Sequence, residues 1–177
     1  NYVTHEVSFD LSSCNGATEM VVAPNDPQNP YWNAACTCAL SGDVNEDGTV
    51  DIIDVVEMVD AVLNYTTDTI LVCGDLNASE TVNITDVVIL VNMILGNTRS
   101  TEATSAEIIK SGDKVSIDAN GFVGAVQMTL DHGNDFSIEL TDNAMVAEYA
   151  TDGNSTTLIV VRPQGDLFTA TGDYEVA

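Results

Sequence analysis

The chain has 177 residues, 45% of them hydrophobic, which is enough to bury a core in one domain or two small ones and excludes disorder of the whole. Acidic residues outnumber basic ones 28 to 4, and a formal charge of −24 excludes nucleic acid and anionic lipid as partners while favouring divalent cations. The longest apolar stretch, residues 87–95, is interrupted by Asn92 and falls well short of the roughly 20 residues that span a bilayer.

The sequence starts at Asn1 with neither Met nor an apolar leader, so a processed or trimmed terminus is expected. Residues 3–11 alternate Val3, His5, Val7, Phe9 and Leu11 with Thr4, Glu6, Ser8 and Asp10, the period of a half-buried strand. Residues 24–30 carry Pro24, Pro27 and Pro30 and read as a rigid turn segment. Residues 1–37 are thus an N-terminal strand followed by a Pro-rich segment. Four cysteines, Cys14, Cys36, Cys38 and Cys73, fit two disulfides better than a metal site, because Cys36-Thr37-Cys38 lacks the two-residue spacer of zinc motifs. Disulfides point to an extracellular or cell-surface location.

Residues 42–64 align without a gap on residues 74–96, at an offset of 32 and with 11 of 23 positions identical. Each unit opens with polar, turn-forming residues and continues with apolar residues at helical spacing: Val55, Met58, Val59 and Val62, then Val87, Leu90, Val91 and Ile94. Two loop-helix units are predicted. Asp54 and Asp86 stand where a helix N-terminus favours negative charge, and Gly96 suits a helix stop. These helices are rich in Val and Ile, poor intrinsic helix formers, so they depend on packing against each other.

In a twelve-residue calcium loop, oxygens come from positions 1, 3, 5, 7, 9 and 12, with a glycine turn at 6. The first loop fits throughout: Asp43, Asn45 and Asp47 offer side-chain oxygens, Gly48 makes the turn, and Thr49 gives its carbonyl. Asp51 binds directly or through water, and Asp54 closes the site. Four carboxylates repel one another without a cation, and flexible hard-oxygen ligands suit Ca²⁺ rather than Mg²⁺. The second loop offers Asp75, Asn77, Ser79, the carbonyl of Thr81, Asn83 and Asp86, with only two carboxylates. Glu80 replaces the turn glycine, so it must accept positive φ or distort the turn, at about 1 kcal/mol or more. Two Ca²⁺ ions are expected, the first held more tightly. Val50 and Val82, at position 8 of each loop, should pack together.

Residues 97–105 form a polar linker, and residues 106–177 read as β structure. Candidate strands are Lys114–Ala119, 123–130, 136–141, 145–150, 157–161 and 173–177. Residues 158–161 are continuously apolar, as in a strand covered on both faces. Short strands at this spacing predict a small, mainly antiparallel β-sandwich.

The motif Gly-Asp-Val-Asn-Glu-Asp-Gly at 42–48, followed by Asp54 and Val55-Val56, resembles a type I dockerin repeat; Asp rather than Glu at loop position 12 is typical of that family. The resemblance covers residues 42–96. It implies two antiparallel loop-helix units around two Ca²⁺ ions, and partner binding through a helix face, usually to a cohesin. The fold class is therefore α+β, a dockerin-like calcium module at 38–96 joined to a β-sandwich at 106–177. At positions 10 and 11, where many type I dockerins carry a Ser-Thr recognition pair, this chain has Ile52-Ile53 and Ile84-Thr85. That departure predicts an apolar contact, with another protein or with the chain's own β domain. Residues 106–177 are also faintly similar to cohesin-like or surface-protein β-sandwiches. Cys38 and Cys73 each precede a loop, and the entrances of a pseudo-twofold pair approach, so Cys38 with Cys73 and Cys14 with Cys36 is the expected pairing.

Other constellations read as structural. Residues 131–135, Asp-His-Gly-Asn-Asp, form a hairpin turn between strands rather than a catalytic cluster, and His5 has no partner in the sequence. Trp32, the single tryptophan, is a thin platform for sugar stacking, and nothing marks a substrate cleft, so no enzyme is expected. Sequons begin at Asn64, Asn77, Asn83 and Asn154; with Asn77 and Asn83 facing metal, Asn64 and Asn154 are the candidate glycosylation acceptors. The leading expectation is a secreted calcium-binding structural protein, a subunit of a fibre, surface layer or scaffold that assembles with copies of itself. Alternatives are a dockerin-type adaptor that docks on a cohesin-like receptor and a carbohydrate-binding module.

Overall fold

The computed structural model describes residues 19–22, 34–67, 70–96 and 101–177. The expected strand at 3–11, the Pro-rich turn, His5, Trp32 and the Cys14 to Cys36 pairing lie outside the described residues. A short antiparallel ribbon, β1 (Glu19–Val22) with β2 (Ala34–Thr37), precedes the repeat. The repeat forms α1 (Ile52–Leu63) and α3 (Ile84–Ile94), with the single turn α2 (Leu71–Gly74) between them.

Eight strands follow: β3 (Ala106–Ser111), β4 (Lys114–Ala119), β5 (Ala125–His132), β6 (Ser137–Leu140), β7 (Val146–Asp152), β8 (Ser155–Val161), β9 (Asp166–Thr171) and β10 (Tyr174–Val176). They make two antiparallel four-stranded sheets, ordered β10-β5-β8-β7 and β3-β4-β9-β6. The sheets enclose a core of Val115, Leu130, Leu158, Val160, Leu167 and Phe168.

A second core joins the helices to the outer face of the first sheet. Val55, Met58 and Val59 of α1 and Val87, Leu90 and Val91 of α3 are buried with Val146, Ile159 and Val161 of the sheet. Val50 and Val82 line this same core. The apolar run at 158–161 is therefore covered on both faces: Leu158 and Val160 point to the other sheet, and Ile159 and Val161 point to the helices. Strand alternation places them so.

Cys38 and Cys73 form the expected disulfide, Cα atoms 5.1 Å apart, closing 35 residues of sequence separation. A loop of that length contributes about 3–4 kcal/mol in the chain-entropy account. Gly42 N–H donates to Cys73 O at 2.9 Å beside it, joining the two loop entrances through the main chain.

Three features differ from expectation. The described part of the 97–105 linker is tied to the sandwich: Asn120 Oδ1 accepts from Thr104 and Ser105 N–H, and Ala103 N–H donates to Phe122 O. Residues 131–135 do not turn a hairpin, because β5 and β6 belong to different sheets; the segment crosses between them. The strands β3 and β9 carry no clean alternation. In β9 the adjacent Leu167 and Phe168 are both buried, and the ladder to β4 is irregular between Val115 and Ser116.

Gly124 marks where α3 meets the sheet. A Cβ built there would lie 2.7 Å from Val88 Cγ1. Gly124→Ala is expected to cost about 1–3 kcal/mol in chemical denaturation, and Val88→Ala in the same chain should recover part of that loss. Simple addition of the two single-variant effects would contradict the contact.

Candidate functional site

The two polar loops, one before α1 and one between α2 and α3, share a framework of hydrogen bonds to their first and last aspartates. In the first, Asp43 closes the front of the loop: its Oδ1 accepts from Asp47 N–H at 3.1 Å and its Oδ2 from Gly48 N–H at 2.9 Å. Asp75 does the same in the second, accepting from Ser79 N–H at 2.9 Å and Glu80 N–H at 2.8 Å. At the rear, Asp54 Oδ1 accepts from Val44 and Asn45 N–H at 2.9 and 3.3 Å, and Oδ2 from Asp51 N–H at 2.8 Å. Asp86 accepts from Leu76, Asn77 and Asn83 N–H at 3.0, 3.2 and 3.0 Å.

Position 9 of each loop starts the helix. Asp51 Oδ1 accepts from Ile53 N–H and Asn83 Oδ1 from Thr85 N–H, each at 2.8 Å, so each helix has a complete capping box with Asp54 or Asp86 at its third position. Both carboxylates also sit in the first helical turn, where the macrodipole favours negative charge. This is how Asp54 and Asp86 remain fully buried without a basic side chain.

The turn at position 6 is left-handed in both loops, φ +89° at Gly48 and +66° at Glu80. The glutamate thus adopts the glycine conformation instead of distorting the loop. Position 4 is left-handed too, +61° at Glu46 and +57° at Ala78.

Around the first loop, Asn45 Oδ1 accepts from Asp47 N–H at 3.0 Å. Asp47 accepts from the Thr49 hydroxyl and main-chain N–H; these two bonds, with a lesser one from Asn45, hold its carboxyl below the usual carboxylate range. In the second loop the Ser79 hydroxyl donates to Thr81 O at 3.0 Å, and Asn83 Nδ2 lies 3.4 Å from Thr81 Oγ1.

The expected ligand positions in both loops offer oxygens, from carboxylate, amide, hydroxyl or main chain. Among the described residues no three His, Cys, Asp or Glu side chains meet in a group that holds a metal ion, and the one ion pair, Lys114 with Asp166, is remote from the loops in sequence. A carboxylate has about four acceptor sites. Asp43 uses two of them on N–H groups and Asp54 and Asp86 three each, so each retains an acceptor site. The chemistry of this donor set fits a hard divalent cation.

The other predicted positions are placed as follows. Ile52 and Ile53 are exposed, at 36% and 49%, as is Val56 at 36%. Ile84 is half-buried against the helix core and Thr85 is exposed. Asn64 caps the end of α1, its Nδ2 donating to Asp60 O and Oδ1 at 3.0 and 2.8 Å, whereas Asn154 is exposed in the β7–β8 turn.

His132 is structurally engaged. Its Nε2 pairs with Thr156 Oγ1 at 2.8 Å and its ring stacks on Phe136 with centroids 4.0 Å apart. It lines a cavity of about 510 Å³ with Lys110 and Tyr174, a grouping across three strands that no local motif announces.

No family model matches the chain, and no curated protein or solved structure matches it either.

Glu80→Gly should relieve the left-handed strain and stabilise the chain by about 0.5–1 kcal/mol in denaturation with chelator present. Gly48→Glu should lose a similar amount. A neutral pair of results would mean that the turn is not strained.

Proposed function

We propose that this chain is a secreted, calcium-stabilised structural protein, without enzymatic activity, that assembles with copies of itself into a fibre, surface layer or scaffold. One observation carries the calcium half of this reading: two loops whose first and last carboxylates, Asp43 with Asp54 and Asp75 with Asp86, take corresponding main-chain N–H bonds, in a chain of formal charge −24. Asp43, Asn45, Asp47, the carbonyl of Thr49, Asp51 and Asp54 would hold one Ca²⁺. Asp75, Asn77, Ser79, the carbonyl of Thr81, Asn83 and Asp86 would hold a second, more weakly because only two are carboxylates.

Each ion would offset the mutual repulsion of its loop's acids and clamp the start of a helix to the loop before it. Because α1 and α3 share a core with the first sheet, that clamp extends to the sandwich. The module is a dockerin-like unit in this reading. The Cys38–Cys73 bond supports an oxidising, extracellular setting, and Asn154, exposed in its turn, is a better glycan acceptor there than Asn64, whose amide is engaged.

A second reading is favoured by a specific patch. Ile52, Ile53 and Val56 expose a small apolar surface at the start of α1, as an adaptor docking on a cohesin-like receptor would require. Solution size separates the two: sedimentation showing polymers that grow with concentration supports assembly, and a constant monomer that captures a receptor supports the adaptor.

With calcium at 100 times its dissociation constant, one site adds about 2.7 kcal/mol of stability. The thermal midpoint should therefore rise with Ca²⁺ and fall with chelator, and Asp43→Ala should diminish the rise more than Asp75→Ala. Identical melts in calcium and in chelator would overturn the calcium reading.

A further inference from the structure

β3 forms an outer edge of the β3-β4-β9-β6 sheet and is one of the four edge strands of the sandwich. β3 has one neighbour, and all six of its residues are exposed, Ile108 at 44% and Ile109 at 41%. Asn120 N–H donates to Ser105 O at 3.1 Å, and the register continues as Glu107 opposite Asp118 and Ile109 opposite Ser116. Hydrogen-bonded and non-hydrogen-bonded pairs alternate in an antiparallel ladder. Ala106, Ile108 and Lys110 therefore turn their main-chain N–H and C=O groups away from β4, to the open edge.

The same edge is open on its inner side. Directly opposed residues share a sheet face, and Ile108 and Lys110 oppose Ile117 and Val115 of the inter-sheet core. Ile108 thus faces inward and is still uncovered. Lys110 Nζ lies 3.9 Å from the centre of the Tyr174 ring, which sets β10 across from β3. Val176, two residues beyond Tyr174 and on the same face of β10, is 61% exposed. Among the described residues, unpaired main chain and exposed apolar side chains therefore coincide along one side of the sandwich, the condition under which a sheet edge accepts another strand.

One segment of the chain has the matching pattern. In sequence, residues 3–11, which lie outside the described residues, alternate so that an extended strand would carry Val3, Val7, Phe9 and Leu11, with His5, on one face and polar residues on the other. Nine residues exceed the six of β3. Charge does not select this segment, since the β3–β4 hairpin sets Glu107, Asp113 and Asp118 against Lys110 and Lys114; the apolar alternation and the open edge do.

We propose that residues 3–11 of a second copy of this chain pair with β3 as a fifth strand, their apolar face covering Ile108 and Val176. Main-chain hydrogen bonds supply affinity and the alternating side chains fix register. A strand given by each subunit to the next is a heterologous contact that does not close, and it produces a linear polymer. This inference rests on the assembly reading above.

The test uses the full chain with Ile109 replaced by the photo-reactive p-benzoylphenylalanine, co-assembled from equal parts of ¹⁵N-labelled and unlabelled protein. The expected adducts after irradiation join position 109 to residues 3–11, and about half of them pair a labelled with an unlabelled chain. Adducts confined to a single isotopic chain would make the strand an intrachain one and overturn the proposal, as would adducts elsewhere or none in polymerised material. Ile108→Asp should raise the concentration for half-assembly at least tenfold and leave the calcium-dependent rise in melting unchanged; unaltered assembly also counts against it. Unsubstituted protein that sediments as a monomer at every concentration would remove the assembly reading itself, and this inference with it. Polymers without adducts to residues 3–11 would remove this inference alone.

Discussion

The structure turns on one strand that is buried on both faces. Leu158 and Val160 of β8 seal the space between the two sheets, while Ile159 and Val161 form the floor on which α1 and α3 rest. Each such side chain contributes about 1.5–3 kcal/mol when fully removed from water, and in β8 the four contributions are consecutive. The two cores are thus joined through the first sheet, most fully in β8. Helices built largely from Val and Ile have weak intrinsic propensity; their persistence depends on that floor and on each other. Without β8 the sheets would have no shared centre and the helices no surface to cover.

At the other end of the helices the controlling constraint is electrostatic. Asp54 and Asp86 are fully buried anions, and each is held by three N–H donors at the positive end of a helix. Each carboxylate therefore binds loop and helix together, and anything that repels it from its loop also unseats the helix start. The Cys38–Cys73 bond and the Gly42 to Cys73 hydrogen bond join the two loop entrances. That Glu80 accepts φ +66° shows the strength of the local pattern: the hydrogen bonds around Asp75 outweigh a conformational cost of about 1–2 kcal/mol.

Among the described residues, exposed apolar side chains stand at the start of α1 and along the β3 and β10 edge, and also singly at Leu40, Tyr65, Val72, Met93 and Tyr149. All four edge strands carry charge: Glu148 in β7, Glu139 in β6, Glu175 in β10, and Glu107 and Lys110 in β3. At β3 the inward-facing Ile108 still leaves hydrophobic area exposed to water.

Much of the candidate site was legible in the residues alone because its contacts are local. Every hydrogen bond that shapes a loop spans ten residues or fewer, so the spacing of Asp43, Asn45, Asp47, Asp51 and Asp54, repeated 32 residues later, contains its own geometry. The apolar run at 158–161 announced a doubly covered strand for a similar reason, since alternation within one segment dictates both faces. What covers those faces was not legible. The helices lie on the sheet because Val88 meets Gly124 and Ile159 meets the α1–α3 core, contacts between segments far apart in sequence. β3 and β9, without alternation of their own, become strands only through their pairing with β4, and residues 131–136 cross between sheets because β6 finds its partner in β9 rather than in β5. Local polar geometry is set by short loops whose closure costs little entropy, whereas sheet membership is a competition among distant partners that only the assembled core resolves.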